Sequence, residues 1–196
     1  PRDHKFPAAT TRPTVVMTSR GQARRTLDRI AEEGVRVVTM PDIRWRRCDI
    51  KSVSLLPNVL AKQAAREAGA FEAWLVDDEG FVTEGSSTNA WILDAAGRLI
   101  TRHLDQRILH GITRRLVMEV AADLGIAVEQ RAFTVEEAKQ AREAFLTAAT
   151  AFVTPVIEID GAVIANGAPG SIALSLRKAY AEASIAKAES LSGQIT

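Results

Sequence analysis

The sequence predicts an α+β domain built on a curved sheet or barrel that is rich in antiparallel strands and flanked by helices. Three observations predict this class: short apolar runs bounded by turn residues, helical repeats of apolar residues between some of them, and connections that are mostly hairpins. The 196 residues, 46% of them hydrophobic, suffice for one generous domain or two small ones. Because no internal repeat or low-complexity linker divides the chain, we expect one domain.

Strands are predicted where a short apolar run is bounded by turn or polar residues. Near the start, strands at Thr14–Thr18 and Val35–Met40 are separated by a short polar helix that stops at Gly34. The remaining predicted strands are Phe71–Val76, Phe81–Thr83, Ala90–Leu93, Leu99–Thr101, Phe145–Val156 and a tight hairpin at Ile157–Ile164.

Helices are predicted where apolar residues recur at helical spacing, often with a glycine after the last of them. The predicted helices are Leu55–Ala68, Ile112–Leu124, a short one at about Val135–Glu143, and a last one that opens at Pro169. Many strands, four or five helices and mostly hairpin connections together favour the α+β class.

Composition excludes several classes of protein. The 25 basic and 24 acidic residues nearly cancel, which argues against an intrinsically disordered tail. No stretch approaches the ~20 consecutive apolar residues that a membrane helix needs. Cys48 is the single cysteine, and the three histidines are too scattered to suggest a metal site. We therefore expect a cytoplasmic globular protein without a bound metal.

Charge and the start of the chain carry two further expectations. Residues 1–51 hold 12 Lys/Arg against 6 Asp/Glu, a bias that suits an anionic ligand or simply a solvated basic face. Neither nucleic acid nor a membrane is expected as a partner. The chain begins at Pro1 with a segment that lacks the apolar core of a signal peptide, and we expect a processed piece or a fragment.

Lys51 stands between a predicted strand and a predicted helix, in a stretch that contains several arginines. It is either a surface charge, as most lysines are, or a lysine that forms a Schiff base. Burial and nearby cations lower the pKa of a lysine and free its amine for that chemistry. The residues alone leave both interpretations open.

Glu84 ends a predicted strand and is followed by a glycine and a run of small hydroxyl residues up to Asn89. Such a segment makes an ordinary polar turn. It also suits a carboxylate that neighbouring donors hold in place, facing a cationic ring nitrogen. Either interpretation fits the segment taken alone.

Gly111 precedes a predicted helix whose first N–H groups, at Ile112 and Thr113, favour an anion such as phosphate. A routine helix start with Thr113 near the N-cap is the alternative. The segment 147–150, at the end of an apolar strand, makes either a second wall for a phosphate or a place of tight packing.

The order and spacing of these segments resemble those of the class IV pyridoxal-phosphate aminotransferases. The matching stretches are Arg46–Ser52, Leu55–Gln63, Thr83–Asn89, Gly111–Arg114 and Thr154–Gly161. Within that family, the stretch from Arg2 to Pro7 is most similar to the D-amino acid (D-alanine) transaminases, in which an Arg-x-His pair receives the substrate carboxylate.

The resemblance implies roles for the matching positions. Lys51 matches the catalytic lysine that forms the internal aldimine with pyridoxal 5′-phosphate, and Glu84 matches the carboxylate beside its pyridine nitrogen. Arg2 and His4 match the substrate-binding pair. The implied cofactor-binding set is completed by Ser87, Leu109, Gly111, Ile112, Thr113 and Ala149. Ala149 stands where the D-transaminase pattern usually has a hydroxyl residue.

The resemblance also implies a fold, an activity and partners. Residues 21–196 match the large domain of a fold-type IV enzyme, residues 1–20 form an inter-domain segment, and the family's N-terminal small domain has no counterpart here. The implied activity is transamination of D-amino acids such as D-alanine, with an acceptor such as 2-oxoglutarate, by a homodimer. A separate N-terminal domain fragment is a further partner to expect. The alternatives are a branched-chain or (R)-amine transaminase, an aminodeoxychorismate lyase, and an inactive fragment.

Overall fold

A computed structural model describes residues 4–21 and 23–192. Five helices are described: α1 (Arg24–Glu33), α2 (Leu56–Glu67), α3 (Ile112–Asp123), α4 (Val135–Lys139) and α5 (Ser171–Ser192). The strands are β1 (Val35–Pro41), β2 (Glu72–Val76), β3 (Val82–Gly85), β4 (Asn89–Leu93), β5 (Leu99–Thr101), β6 (Val128–Gln130), β7 (Glu143–Ala148), β8 (Phe152–Ile159) and β9 (Ala162–Val163). Within these residues, no helix is long and apolar enough to span a bilayer.

In the described part of the chain, the strands form one sheet in the order β3-β2-β1-β8-β7-β4-β5-β6, with β9 paired to β8. β1 runs parallel to β2 and β8, and β5 runs parallel to β6, whereas the other pairs are antiparallel. The sheet curls until its two ends meet. The Val82 N–H donates to the carbonyl of Phe133, and Phe81 bridges to Thr134, both just beyond β6. This curvature confirms the predicted barrel-like α+β sheet.

Side chains alternate between the two faces of the curled sheet, as the twofold period of a strand requires. Ile92 and Leu146 join the cluster inside the curl. Trp91 and Phe145 face the other way, where their rings stack with centroids 5.4 Å apart beneath α3 and α5. The packing of α3 on this outer face fixes where its first turn meets the sheet.

The predicted strand at residues 14–18 is wrong. The structure has no regular element there, and Val15, Val16 and Met17 are exposed. A short apolar alternation forms a strand only when a neighbouring strand takes up its backbone hydrogen bonds, and none of the described strands pairs with this segment.

Two predicted boundaries are also wrong. The single strand predicted over residues 145–156 is an antiparallel pair, β7 and β8, because the chain reverses after Ala148 and Phe152 adopts a positive φ of 60°. The short predicted helix ends at Lys139 rather than at Glu143, which is the first residue of β7. The predicted hairpin that follows is present as β8 and β9.

Candidate active site

The candidate site lies where β3 ends and β4 begins, beside the loop that leads into α3. Glu84 belongs to β3, and Asn89 is the first residue of β4. The Asn89 Nδ2 group donates to Glu84 Oε2 at 2.9 Å and to the carbonyl of Leu109 at 3.1 Å. The Leu109 N–H in turn lies 3.1 Å from each carboxylate oxygen of Glu84. Two residues predicted from separate segments, Glu84 and Leu109, are thus in direct contact.

Arg44 provides the positive charge at this site. Its Nη1 contacts Glu84 Oε1, while its Nε and Nη2 donate to the two oxygens of Asp42 at 2.9 and 2.8 Å. Nη2 also donates to the carbonyl of Arg107 at 3.0 Å. The Arg44 side chain is only 6% exposed, so a buried guanidinium joins two buried acids and the loop before α3.

Burial and the contact with Arg44 have opposite effects on the pKa of Asp42 and of Glu84, and the net result differs between the two acids. Burial raises the pKa of Glu84 to about 7, although Arg44 and the Leu109 N–H favour its ionised form. Burial also acts to raise the pKa of Asp42, but its bonds with Arg44 and Thr83 outweigh that effect, so its pKa lies below the ordinary value. Glu84 is therefore the acid of this cluster that exchanges a proton near neutral pH.

Gly111 allows a close approach of backbone to side chain at the start of α3. A Cβ at this position would lie 2.2 Å from Asn89 Oδ1, a distance that only displacement of Asn89 would relieve. α3 then begins at Ile112 without a side-chain cap. The first N–H groups of such a helix suit an anion.

The sequence also predicts Thr113 and Ala149 as cofactor-binding residues. Thr113 is buried, and its hydroxyl lies 3.5 Å from the Tyr180 hydroxyl of α5. At the neighbouring sheet edge, Thr147 of β7 pairs with Asn89. Ala149 is exposed in the turn that follows β7.

Lys51 lies exposed in the loop between β1 and α2. This loop is anchored on both sides of Lys51. The Cys48 N–H donates to the carbonyl of Gln106 at 2.8 Å, and Asn58 Nδ2 donates to the carbonyl of Ser86 at 2.8 Å. Because Lys51 follows Cys48 by three residues, their Cα atoms are at most about 11 Å apart. The anchors keep Lys51 near the segments that carry Glu84 and Leu109.

The remaining sequence-predicted residues are placed less fully. Arg2 lies outside the described residues. His4 is exposed in a segment without helix or strand. Ser87 lies in the turn after Glu84, where its hydroxyl donates to Oε2 of Glu72 at 3.0 Å.

The sequence interpretation assigned no role to four residues that shape the site: Asp42, Arg44, Glu72 and Asn89. Asn89 lay inside a recognised motif, directly after the hydroxyl run. Arg44 is the first of the arginines in the predicted Lys51 segment, and Asp42 stands two residues before it, a spacing too common in surface turns to indicate a buried ion pair. Their partnership with Glu84 spans about forty positions of sequence and depends on the fold.

Three comparisons with known proteins agree on one family. The family model described as Amino-transferase class IV matches residues 2–159. The D-alanine aminotransferase of Bacillus licheniformis is 41% identical over 180 residues, which cover 91% of this chain and 62% of that protein. The D-alanine aminotransferase of Staphylococcus haemolyticus is 37% identical over 181 residues, with 92% and 62% covered.

Solved structures of branched-chain aminotransferases share the fold. The enzyme of Thermoproteus uzoniensis, solved with norvaline, superposes with a TM-score of 0.68 at 36% identity, covering 77% of this chain and 51% of that one. The Thermobaculum terrenum enzyme in its PLP-form gives a TM-score of 0.71 at 31% identity, covering 79% and 52%. The chain thus spans 62% of the length of the curated relatives and about half of each solved chain.

The pKa of Glu84 gives a test of this charge cluster in the cofactor-free chain. Between pH 4.5 and about 7, the unfolded carboxyl loses its proton while the folded one keeps it, so the free energy of unfolding falls as pH rises. From those two values, the expected fall is about 3 kcal/mol. Glu84→Gln removes this contribution, which urea unfolding at a series of pH values measures.

The matched control is Glu79→Gln, which replaces an exposed glutamate in the turn just before β3. This variant should keep the wild-type slope between pH 4.5 and 7. Parallel pH profiles for the wild type and Glu84→Gln would show that Glu84 titrates as an ordinary exposed carboxyl and would refute the assignment.

Proposed function

Because the chain belongs to the class IV aminotransferases, we propose that it carries the pyridoxal 5′-phosphate site of a transaminase that acts on D-amino acids. One observation of the structure carries the proposal. Glu84 is a buried carboxylate, fixed by Arg44, Asn89 and the Leu109 N–H, at the mouth of an uncapped helix. That arrangement offers an acid for a ring nitrogen and N–H donors for a phosphate.

The residues present fit this cofactor. A pyridine nitrogen stays protonated only beside an anion, and Glu84 is a buried acid whose proton exchanges near neutral pH. A phosphate needs N–H donors without a side chain in front of them. The uncapped start of α3 provides those donors, and Gly111 brings no Cβ into the space that Asn89 borders.

When bound, pyridoxal phosphate supplies an electron sink for the bond that breaks at the substrate Cα. Lys51 would supply the amine that holds the cofactor, and this amine would move a proton at the substrate Cα. Glu84 holds a proton at the ring nitrogen. Arg44 keeps the carboxylate of Glu84 in place through its second bond to Asp42.

Substrate orientation in this proposal belongs to Arg2 and His4. An arginine binds a carboxylate through two parallel hydrogen bonds, which fixes the plane of the bound amino acid. The fixed carboxylate decides which face of Cα presents its hydrogen to Lys51. Preference for D-amino acids is then an effect of positioning, with a 2-oxo acid such as 2-oxoglutarate as acceptor.

A homodimer is part of the proposal, and an exposed apolar surface supports it. One open cleft is lined by residues from the segments that flank Lys51 in sequence: Trp45, Val53, Leu55, Leu56 and Pro57. Val53 is 96% exposed and Leu56 is 68% exposed. Contiguous apolar surface of this kind marks a place that another protein surface covers. A partner chain, or the part of the curated relatives that this chain does not match, suits that cleft.

A cytoplasmic location stays a prediction from the sequence.

Covalent trapping tests the cofactor site. Incubation of the chain with pyridoxal phosphate, followed by borohydride reduction and peptide mapping, should place a phosphopyridoxyl group on Lys51. Lys51→Ala should lose the label completely because the attached amine is gone. Lys187→Ala removes a surface lysine that pairs with Glu119 and should label like the wild type. Label on other lysines alone would contradict the site.

The choice of amino donor tests the substrate, since the solved structures that share the fold are branched-chain aminotransferases. With 2-oxoglutarate as acceptor, kcat/KM for D-alanine should exceed that for L-leucine at least about tenfold, a difference of about 1.4 kcal/mol in transition-state binding. The reverse preference would favour a branched-chain enzyme. Labelling of Lys51 without turnover of either donor would identify a cofactor-binding piece that is inactive alone.

A further inference from the structure

We propose that Glu72 is a positioning residue for the candidate cofactor site. It takes the hydroxyl hydrogens of Ser86 and Ser87 and thereby fixes the turn between the β3 and β4 strands. It also leaves Ser87 able only to accept a hydrogen bond from whatever binds at the open side of that turn. The inference rests on the proposed function for the identity of its ligand, but not for the geometry of the turn.

Glu72 is a fully buried carboxylate in β2, at 0% exposure. The Ser86 hydroxyl donates to its Oε1, and the Ser87 hydroxyl donates to its Oε2 at 3.0 Å. The Ala73 N–H also donates to Oε1, at 2.8 Å. The ammonium of Lys62, on α2, lies 3.4 Å away. Every one of these neighbours is a donor or a cation, a set that suits an ionised acid.

Burying a charge costs free energy unless hydrogen-bond partners replace the lost water. The partners of a buried carboxylate therefore indicate which part of the structure it holds in place. Two of the four partners of Glu72 are hydroxyls from the turn that follows Glu84. The carboxylate thus makes half of its contacts with this turn, which separates the two strands that carry Glu84 and Asn89.

The backbone of the turn is packed against Glu72 as well. The Ser86 N–H donates to the carbonyl of Ala73 at 2.9 Å, and the Gly85 N–H donates to the carbonyl of Thr88 at 2.6 Å. A Cβ on Gly85 would lie 3.2 Å from Cγ of Glu72 and 2.0 Å from Oγ1 of Thr88. The turn therefore has little freedom to shift while Glu72 is in place.

The contact with Glu72 also sets the hydrogen-bonding direction of Ser87. A serine hydroxyl has one hydrogen and two acceptor lone pairs. Since the carboxylate of Glu72 only accepts, the hydrogen of Ser87 is used there, and its exposed side retains lone pairs alone. A ligand group facing Ser87 must then be a donor. In Glu72→Gln the amide oxygen keeps the Oε1 place, because the Ala73 N–H needs an acceptor there. The amide NH₂ then faces Ser87, whose hydroxyl must turn its hydrogen outward.

A double-mutant cycle on cofactor binding tests the proposal. The dissociation constant for pyridoxal phosphate is measured for the wild type, Glu72→Gln, Ser87→Ala and the double variant. Glu72→Gln should raise it about tenfold, the effect of roughly one charge-assisted hydrogen bond. In the Ser87→Ala background, Glu72→Gln should add little more, because its effect passes through that hydroxyl. Additive effects would overturn the role assigned to Ser87.

The matched control is Glu143→Gln. Glu143 is also a buried glutamate, and it accepts the N–H groups of Ile172 and Ala173 at 3.0 and 2.9 Å. In the β4–β7 register it stands opposite Leu93, whereas Thr147 stands opposite Asn89, which places it about 13 Å along the strand from the site. The Glu143→Gln variant should have a lower melting temperature but an unchanged dissociation constant for pyridoxal phosphate. A weakening equal to that of Glu72→Gln would show a merely structural effect and would overturn the proposal.

Hydrogen exchange tests the turn without any cofactor. The amides of Gly85 and Ser86 should exchange about tenfold faster in Glu72→Gln and at the wild-type rate in Glu143→Gln. If Glu72→Gln does not fold, Ser86→Ala takes its place, since it removes one of the same bonds. Unchanged exchange at the turn overturns the positioning role. Absence of pyridoxal phosphate binding in the wild type refutes the proposed function instead, and the exchange result still decides the inference.

Discussion

The bridge that Arg44 forms between Asp42 and Glu84 is the interaction on which the candidate site depends. It ties the end of β1 to β3 and, through the carbonyl of Arg107, to the loop before α3. Without this cation, two carboxylates would be buried with no opposite charge beside them. Removing one member of a buried charge network lowers the free energy of unfolding by about 3–5 kcal/mol. The same bridge that stabilises the fold therefore holds Glu84 in place and favours its ionised form.

Two buried glutamates stand on adjacent strands with different neighbours, and the neighbours define their tasks. Glu84 meets a guanidinium, an amide and one N–H, and burial still raises its pKa to about 7, so it is suited to sharing a proton with a bound ring. Glu72 meets hydroxyls, an N–H and an ammonium, and it orders the turn that leads from Glu84 to Asn89. In the proposed site, Glu84 would contact the cofactor, and Glu72 would position the turn beside it.

Much of the fold follows from local patterns. The helices α2, α3 and α5 and the strands around the Asp94–Gly97 turn lie where apolar periodicity and turn residues predict them. The strand at residues 14–18 fails because pairing is a long-range property. Within the site, Glu84, Leu109 and Gly111 are recognised from motifs, since each motif is continuous in sequence. Arg44 and Glu72 are not, because each gains its meaning from partners that the curled sheet brings from elsewhere in the chain.

Protonation of the bound cofactor's ring nitrogen tests the proposed role of Glu84 most directly. Pyridoxal phosphate labelled with ¹⁵N at the ring is bound to the chain, and its nitrogen chemical shift is recorded near neutral pH for the wild type and Glu84→Gln. We expect a protonated nitrogen in the wild type and a shift toward the unprotonated value in the variant, because only the carboxylate favours the ring cation. An unprotonated nitrogen in the wild type, or the same shift in both proteins, would contradict the role of Glu84.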